Sequence, residues 1–408
     1  LTTGLGGFII WATLHGSMVS IYEFRYIHTI DDILPYIEGK DEFRVIDKGT
    51  YKVINYMVAF EDTFADPWVP YKCECRGLIF DKDGILISRP YHKFFNVGEK
   101  PWTQIEKINM YESHVVLEKL DGSMIRPVVI DGKFRLASKA GITEISEQAE
   151  QFIRDKKHYT QFCTFCLDYA ITPIFEWCSR KNRIVIDYPE DRLVLTALRW
   201  NDSGRYIPFD QMREMAEIHD IDCVKAMDSC NLAKQNINLF VKQVKEWEDS
   251  EGVVLRFDTG HMVKVKADDY IRRHKSRDLM AVERHVIDLV VNDNIDDVIP
   301  VLDDNDAKRL RTFQKSFWSN FDDTQKVIET MYEAGQDIDD QKEFAVEFVQ
   351  KKVVKQYQPY MYAARRGRDI RAMMQESIRS SLSSQTKVDD ARWLWGGLHW
   401  NSEVHAGD

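Results

Sequence analysis

Between residues 18 and 267 the chain runs in short β-branched and aromatic stretches of alternating polarity, each closed by turn residues. Such alternation buries one face of an extended strand and leaves the other to solvent. Residues 75–80 and 85–88, on either side of Asp81-Lys82-Asp83-Gly84, predict a hairpin. Residues 124–130 and 133–139 predict a second, because Asp131-Gly132 supplies the positive φ that a two-residue turn requires. Residues 253–257 and 261–266, around Asp258-Thr259-Gly260, predict a third, and 115–120 reads as a further strand. Two stretches change period. Ile145, Ala149, Phe152 and Ile153 recur at helical spacing within 144–157, and 209–219 is similar.

Past residue 268 the texture turns helical. Residues 277–291, 307–321, 323–334 and 340–354 each read as amphipathic helices, with Asp322-Asp323 and Asp339-Asp340 where N-caps belong. The pattern therefore predicts an α+β domain over 18–272 and an all-α domain over 273–380. A tail over 381–408, Ser-rich and then Trp-rich (Trp393, Trp395, Trp400), carries no clear period. Residues 1–17 lack an initiating Met and the basic lead of a signal peptide. They are expected to be a tag or an extension, with Met18 as the natural start. No fixed-period repeat is present, which argues against a solenoid.

Composition narrows the class. A chain of 408 residues, 44% hydrophobic and 30% charged, has the make-up of two or three globular domains, not of a disordered or collagen-like protein. With 66 acidic against 55 basic residues and a net charge of -11, a nucleic-acid binder would have to gather its cations locally. Seven cysteines, an odd and sparse set, suggest free thiols in a reducing, cytoplasmic setting. No apolar run approaches the ~20 residues of a membrane span, so no membrane partner is expected.

The first chemical signal is Glu118-Lys119-Leu120-Asp121-Gly122-Ser123, a Lys at the end of a strand followed by a tight turn. A Lys is a nucleophile only when its amine sheds its proton, and desolvation or neighbouring cations lower its pKa. Gly122 would let backbone approach a phosphate closely. Alone, such a motif is more often an exposed hairpin turn. Further segments surround it in one order between residues 73 and 266. Glu74-Cys75-Arg76-Gly77 and Lys93-Phe94-Phe95-Asn96 lie upstream. Ser138-Lys139-Ala140-Gly141, Phe175-Glu176-Trp177, Glu251-Gly252-Val253-Val254 and Lys264-Val265-Lys266 lie downstream. Lys264 and Lys266, two apart, share one face of their strand. Cys73-x-Cys75 and Cys163-x-x-Cys166 offer zinc as a rival reading, but their spacing is irregular. No Gly-x4-Gly-Lys-Ser/Thr phosphate loop is present.

On these segments the chain resembles the covalent nucleotidyltransferase superfamily, and most closely the phage RNA ligase 1 family of ATP-dependent RNA ligases. Lys139-Ala140-Gly141 departs from the Lys-Gly-Ser frequent in that family. The resemblance implies a nucleotidyltransferase domain of ATP-grasp-like antiparallel sheets, followed by an all-α domain concerned with RNA specificity. It implies a cytoplasmic enzyme of viral origin acting in RNA repair, with ATP as substrate and Mg²⁺ or Mn²⁺ as cofactor. The expected partner is RNA bearing 5′-phosphate and 3′-hydroxyl ends, nicked tRNA included, and the expected state is a monomer.

The resemblance also assigns roles. Lys119 would carry AMP, with Lys264 and Lys266 as catalytic cations. Arg76, Lys93, Phe95, Gly122, Lys139, Glu176, Glu251 and Tyr270 would bind nucleotide. Glu176 and Glu251 would hold the metal, while Asp121 would shape the turn. In the helical domain Arg365, Arg366, Arg368 and Arg371, with tyrosines nearby, read equally well as an RNA surface or as a solvated helix face. The alternatives are a GTP-using capping enzyme or a DNA ligase of the same superfamily, or an inactive RNA-binding relative.

Overall fold

The computed structural model describes residues 24–60, 62–65, 70–227 and 236–401. Residues 1–17 and Met18 lie outside the described residues. The chain divides into two compact units at Ile271/Arg272.

In the first unit three four-stranded sheets form among the described residues. The first is β1-β2-β3-β4 (Phe43–Asp47, Tyr51–Tyr56, Arg76–Asp81, Leu86–Ser88), antiparallel throughout. The second is β10-β9-β7-β8 (Arg192–Trp200, Ile171–Cys178, Ser123–Ile130, Lys133–Ala137), also antiparallel. The third is β5-β12-β11-β6 (Phe95–Asn96, Met262–Lys266, Gly252–Phe257, His114–Glu118), in which only β5 runs parallel to its neighbour. Asp131 at φ 50° and Gly132 at φ 72° turn β7 into β8, the left-handed pair a two-residue hairpin needs.

The strand pattern follows from what each face meets. β9 is a central strand, buried along its length except at Glu176. Its second sheet packs a core containing Ile125, Phe175 and Leu195 against helices Glu144–Ile153 and Phe209–Ile218. The third sheet rests on Phe240, Val241 and Val244 of helix Ile237–Lys245. The helix expected over 144–157 ends at Ile153, and a new one, Lys157–Asp168, starts after a break. Glu74 ties the sheets together. Its buried carboxylate takes Arg89 Nη2 at 2.9 Å and Arg199 Nη2 at 2.7 Å, and these two cations hold its pKa down to about 2 despite burial.

The second unit contains no strand among its described residues. The stretches 307–321 and 323–334 are one 30-residue helix, Asp304–Glu333, capped by Asp303. Asp322 and Asp323 cap nothing. Phe313, Phe317, Phe321 and Ile328 form one buried stripe through that point, and its continuity overrides the local capping signal. The stretch 277–291 breaks at Val282 between helices Asp268–Ala281 and Glu283–Val291. Asp340 does cap, accepting from Glu343 N–H at 2.7 Å, but a π-helix, Phe344–Gln350, follows. The Trp-rich tail, as far as described, joins this core. Trp395 stacks on Phe317 at 5.3 Å, and the Trp400 indole N–H donates to the Met280 carbonyl at 2.7 Å. No helix among the described residues is long and apolar enough to cross a membrane.

Candidate active site

Strand register gathers the first group of residues. β11 lies between β6 and β12, pairing Val253 with Glu118 and Gly252 with Lys266. Lys119, just past β6, donates its N–H to the Gly252 carbonyl at 2.9 Å. Lys119, Glu251 and Lys266 therefore stand side by side at the same end of three adjacent strands. Glu251 Oε1 lies 2.8 Å from Lys119 Nζ and 3.0 Å from Lys266 Nζ. Glu251 is 4% exposed, while Lys119 and Lys266 are 21% and 27% exposed. Gly252 makes this approach possible. It sits at φ 130°, and a Cβ there would fall 2.0 Å from the Val265 carbonyl oxygen.

The protonation of Lys119 corrects one expectation. Burial favours loss of its proton, but Glu251 and Glu176 outweigh burial, and the Lys119 pKa is raised. With the protein's own groups alone, Lys119 is an ammonium ion paired to Glu251, not a neutral amine. Burial would raise the Glu251 pKa, yet Lys119 and Lys266 lower it overall. Glu176, on β9 opposite Met124, has its pKa pushed up to about 7 by burial, with the Glu251 charge adding to the effect and Lys119 opposing it.

The turn after Lys119 is locked. Asp121 accepts from the N–H groups of Val185 and Ile186, each at 2.7 Å, and from the Tyr270 hydroxyl at 2.7 Å. Asp121 therefore shapes the turn, and Tyr270 is buried with its hydroxyl committed to Asp121 while its ring lies 5.0 Å beneath Lys266 Nζ. Gly122 presses against β9, where a Cβ would meet the Trp177 carbonyl oxygen at 2.5 Å. The cost of a side chain there explains the Gly as backbone packing.

A second group is cationic and aromatic. Lys139 Nζ lies 4.3 Å and Lys93 Nζ 5.4 Å from the Tyr56 ring centre. Burial would raise the Tyr56 phenol, but Lys93, Arg76 and Lys139 together lower it. Arg76 Nη1 reaches Met124 Sδ at 3.4 Å. Lys264 Nζ sits 5.7 Å from the Phe94 ring centre, and burial, followed by Lys93, Lys119, Lys266 and Arg76, lowers its pKa to about 7. Phe95 belongs to the core beside Phe64 and Trp102, with Lys93 Nζ 5.3 Å from its ring centre. Tyr56 was not legible as a site residue in the sequence. It closes β2, and only the pairing of Asn55 with Arg76 brings it among the cations.

Among the described residues no three His, Cys, Asp or Glu side chains gather as a metal-ligand set. Glu176 and Glu251 instead fit a hard divalent ion that takes one or two carboxylates and draws its other oxygens from phosphate and water. Cys73 and Cys75 pack in one hydrophobic cluster, Cys163 and Cys166 in another, so the two pairs do not converge.

In the helical unit three of the four arginines singled out above are engaged. Arg365 donates to the Gln336 carbonyl at 3.0 Å and caps Ile338 and Asp339. Arg368 pairs with Glu376 at 3.0 Å, and Arg371 with Asp322 at 2.6 Å. Arg366 lies between them in sequence, at the end of helix Gln358–Ala364.

Comparison with known proteins finds similarity to RNA ligases. A family model described as RNA ligase matches residues 74–270. A protein of Thermovibrio ammonificans, provisionally named an RNA ligase, is 27% identical over 314 residues, covering 73% of this chain and 80% of its own length. RNA ligase 1 of bacteriophage TS2126 is 30% identical over 92 residues, covering 21% of this chain and 22% of its own. A solved archaeal ATP-dependent RNA ligase aligns at a TM-score of 0.41 and 12% identity, over 62% of this chain and 65% of that one. Through the segment that carries Arg76, Lys119, Glu176, Glu251, Lys264 and Lys266, the chain is similar to the RNA ligase family that includes phage RNA ligase 1.

Proposed function

We propose that this protein is an ATP-dependent RNA ligase that works through a Lys119–AMP intermediate. The observation that carries the reading is the three-strand cluster of Lys119, Glu251 and Lys266, with Lys264, Arg76, Lys93 and Lys139 set where polyphosphate charge can be met. In the first step Lys119 Nζ loses its proton and attacks the α-phosphorus. A P–N bond forms, the α–β P–O bond breaks, and pyrophosphate leaves. Glu251 Oε1, 2.8 Å away, is the atom that faces the departing proton. In the second step an RNA 5′-phosphate oxygen attacks the adenylate phosphorus, and Lys119 leaves and regains a proton. In the third step a 3′-hydroxyl attacks the RNA 5′-phosphorus and expels AMP.

The residues act by positioning and charge, which dominate in-line displacement at phosphorus. Lys264 and Lys266, on one strand face, are assigned to the transferring phosphoryl group and Lys93, Lys139 and Arg76, grouped around Tyr56, to the leaving pyrophosphate, while Gly122 and Asp121 hold the lysine turn. A divalent ion bound through Glu176 and Glu251 would neutralise phosphate charge and compete with Lys119 for Glu251. Mg²⁺ and Mn²⁺ both suit these donors. Among the described residues the chain continues into helices after β12, not into the strands of an oligonucleotide-binding barrel, which favours RNA ligase over DNA ligase or capping enzyme. Broken RNA, nicked tRNA included, is the substrate class we assign, with a role in repair.

Incubation with α-labelled ATP and a divalent metal should give an acid-labile protein adduct that Lys119→Ala and Lys119→Arg both abolish. Joining of 5′-phosphorylated RNA, but not of the matched DNA, should follow. Labelling by GTP alone would instead indicate a capping enzyme. No labelling by either nucleotide would sink the reading.

A further inference from the structure

Arg126 is a buried guanidinium on β7, a central strand of the second sheet, and it forms no ion pair with a carboxylate among the described residues. Burying a charge without a counter-charge is expensive, so its retention calls for a reason. Each of its three nitrogens donates to a neutral partner. Nε donates to Ser88 Oγ at 3.0 Å, Nη1 to the Ser138 carbonyl at 2.6 Å, and Nη2 to the Gly77 carbonyl. Those partners sit on β4, at the end of β8, and on β3, so one side chain spans the first and second sheets. Burial and the Arg76 charge push its pKa down to about 9.

The anchored carbonyls adjoin the pocket. Gly77 follows Arg76, and Ser138 precedes Lys139. The same junction is tight. A Cβ on Gly77 would lie 2.8 Å from the Lys139 carbonyl oxygen, and Asn55 Nδ2 donates to that oxygen at 2.8 Å. Arg76 comes from one sheet and Lys139 from the other, yet both act on the Tyr56 phenol. Their spacing is therefore an inter-sheet distance, which a rigid three-way donor fork can fix and a Lys cannot.

We propose that Arg126 is a positioning residue for the first step of ligation: it clamps the two sheets so that Arg76 and Lys139 are held at the spacing needed for the leaving pyrophosphate of ATP. This rests on the reading of the pocket as a nucleotide site. It predicts a split between reaction steps. Formation of Lys119–AMP from ATP uses the pyrophosphate-facing cations. Joining of RNA that already carries a 5′-adenylate does not.

The test compares Arg126→Lys, Arg126→Met and Ser88→Ala with the parent in both assays, with thermal melts to check folding. Precise orientation carries much of the rate of such steps, so the KM for ATP in adduct formation should rise at least about tenfold in the Arg126 variants, with joining of pre-adenylylated RNA within roughly threefold of the parent. Ser88→Ala, which removes one anchor and leaves the guanidinium, should show the same split at smaller size. Equal losses in both assays, or an unchanged KM for ATP, would overturn the positioning role. If Arg126→Met does not fold, Arg126→Lys and Ser88→Ala still decide the matter. A parent protein that takes no label from ATP would sink the site reading and this role together. A labelled parent with equally labelled variants would overturn this role alone.

Discussion

In the helical unit Arg392 reaches Glu283 at 2.5 Å, Arg371 reaches Asp322 at 2.6 Å, and Arg368 reaches Glu376 at 3.0 Å. In the strand-rich unit Lys264 has its pKa lowered to about 7, by burial first and then by the charges of Lys93, Lys119, Lys266 and Arg76. Both sets belong to a chain of net charge -11, so carboxylates are not scarce. The difference is one of placement. These helical-unit charges are matched within the fold, whereas Lys264 is held among like charges that a polyanion would relieve. A folded chain keeps such local conflict where a ligand relieves it.

The largest expected effect breaks the strand-rich half of that contrast. Lys264→Met removes a cation held among like charges. Loss of one pre-arranged charge at a developing phosphoryl charge typically lowers the rate by roughly 10²–10³, and adduct formation should fall by that order. The same variant should melt higher than the parent when no nucleotide is added. The folded pKa of Lys264 lies below the 10.5 of an ordinary lysine, so its penalty is full below about pH 7 and fades as pH rises toward 10.5. The stability gain of Lys264→Met should accordingly be largest at pH 7 and below, and vanish near pH 10.5. A variant both slower and less stable at pH 6 would show that Lys264 is a structural cation.

Next in size is the helical counterpart. Glu283 accepts from Arg392 at 2.5 Å and from the Trp400 N–H at 2.8 Å, anchoring the tail to helix Glu283–Val291. Glu283→Ala leaves Arg392 with Asp389 as its remaining carboxylate but takes the acceptor from the Trp400 backbone N–H, and leaving such a buried donor unpaired typically costs about 1–3 kcal/mol. Glu283→Ala should lower the stability of this unit by that order in urea titration, without changing Lys119 labelling at a temperature where the protein remains folded. An unchanged urea midpoint would mean that the tail is held by its tryptophans alone.

How far sequence reached depends on the range over which each signal acts. The three hairpins were readable because turn chemistry and alternation are local, as at Asp131-Gly132. Glu251 and Lys266 were readable together because they flank the third hairpin, whereas Lys119 joined them through the family resemblance, since its strand belongs to none of those hairpins. What failed was decided at a distance. Asp322-Asp323 signals a cap locally, but the buried stripe from Phe313 to Ile328 runs through it. The sequence offers Lys264 and Lys266 as cations that would disfavour protonation of Lys119, yet Glu251, brought in by strand pairing, outweighs them. Tyr56 and Arg126 are unremarkable in their own segments, and gain meaning only when the first and second sheets meet.

Glu176 sharpens the comparison through pH. Its folded pKa is raised to about 7 from 4.5, mainly by burial, so the folded state binds a proton more readily than the unfolded chain between those values. Stability contributed by the neutral carboxyl is therefore present below about pH 4.5 and lost as pH rises through 7. Glu176→Gln mimics the neutral form. Its melting temperature should match the parent's near pH 4.5, exceed it increasingly up to pH 7, and hold a constant margin above that. This is the opposite pH course to Lys264→Met. Added divalent metal should shrink the margin in the parent's favour, because a cation at Glu176 stabilises the ionised form. A margin independent of pH would mean that Glu176 is already ionised throughout this range.

The smallest effect belongs to the surface of the helical unit. Arg368 and Glu376 are 57% and 68% exposed, so water and salt screen their 3.0 Å contact. Exposed pairs of this kind contribute roughly 0–1 kcal/mol, and Arg368→Ala should shift the urea midpoint by no more than that corresponds to. A surface arginine that contributes little to stability is free to be judged on RNA alone. If Arg368→Ala, Arg366→Ala and the double variant leave RNA joining unchanged at both low and moderate salt, this face is solvated surface. If joining weakens and the salt dependence becomes shallower, the pair meets phosphate, since each lost phosphate contact lowers the salt slope by about one. The engagement of Arg368 by Glu376 then measures a competition: RNA has to displace a carboxylate here, whereas in the strand-rich unit a polyanion meets cations already gathered.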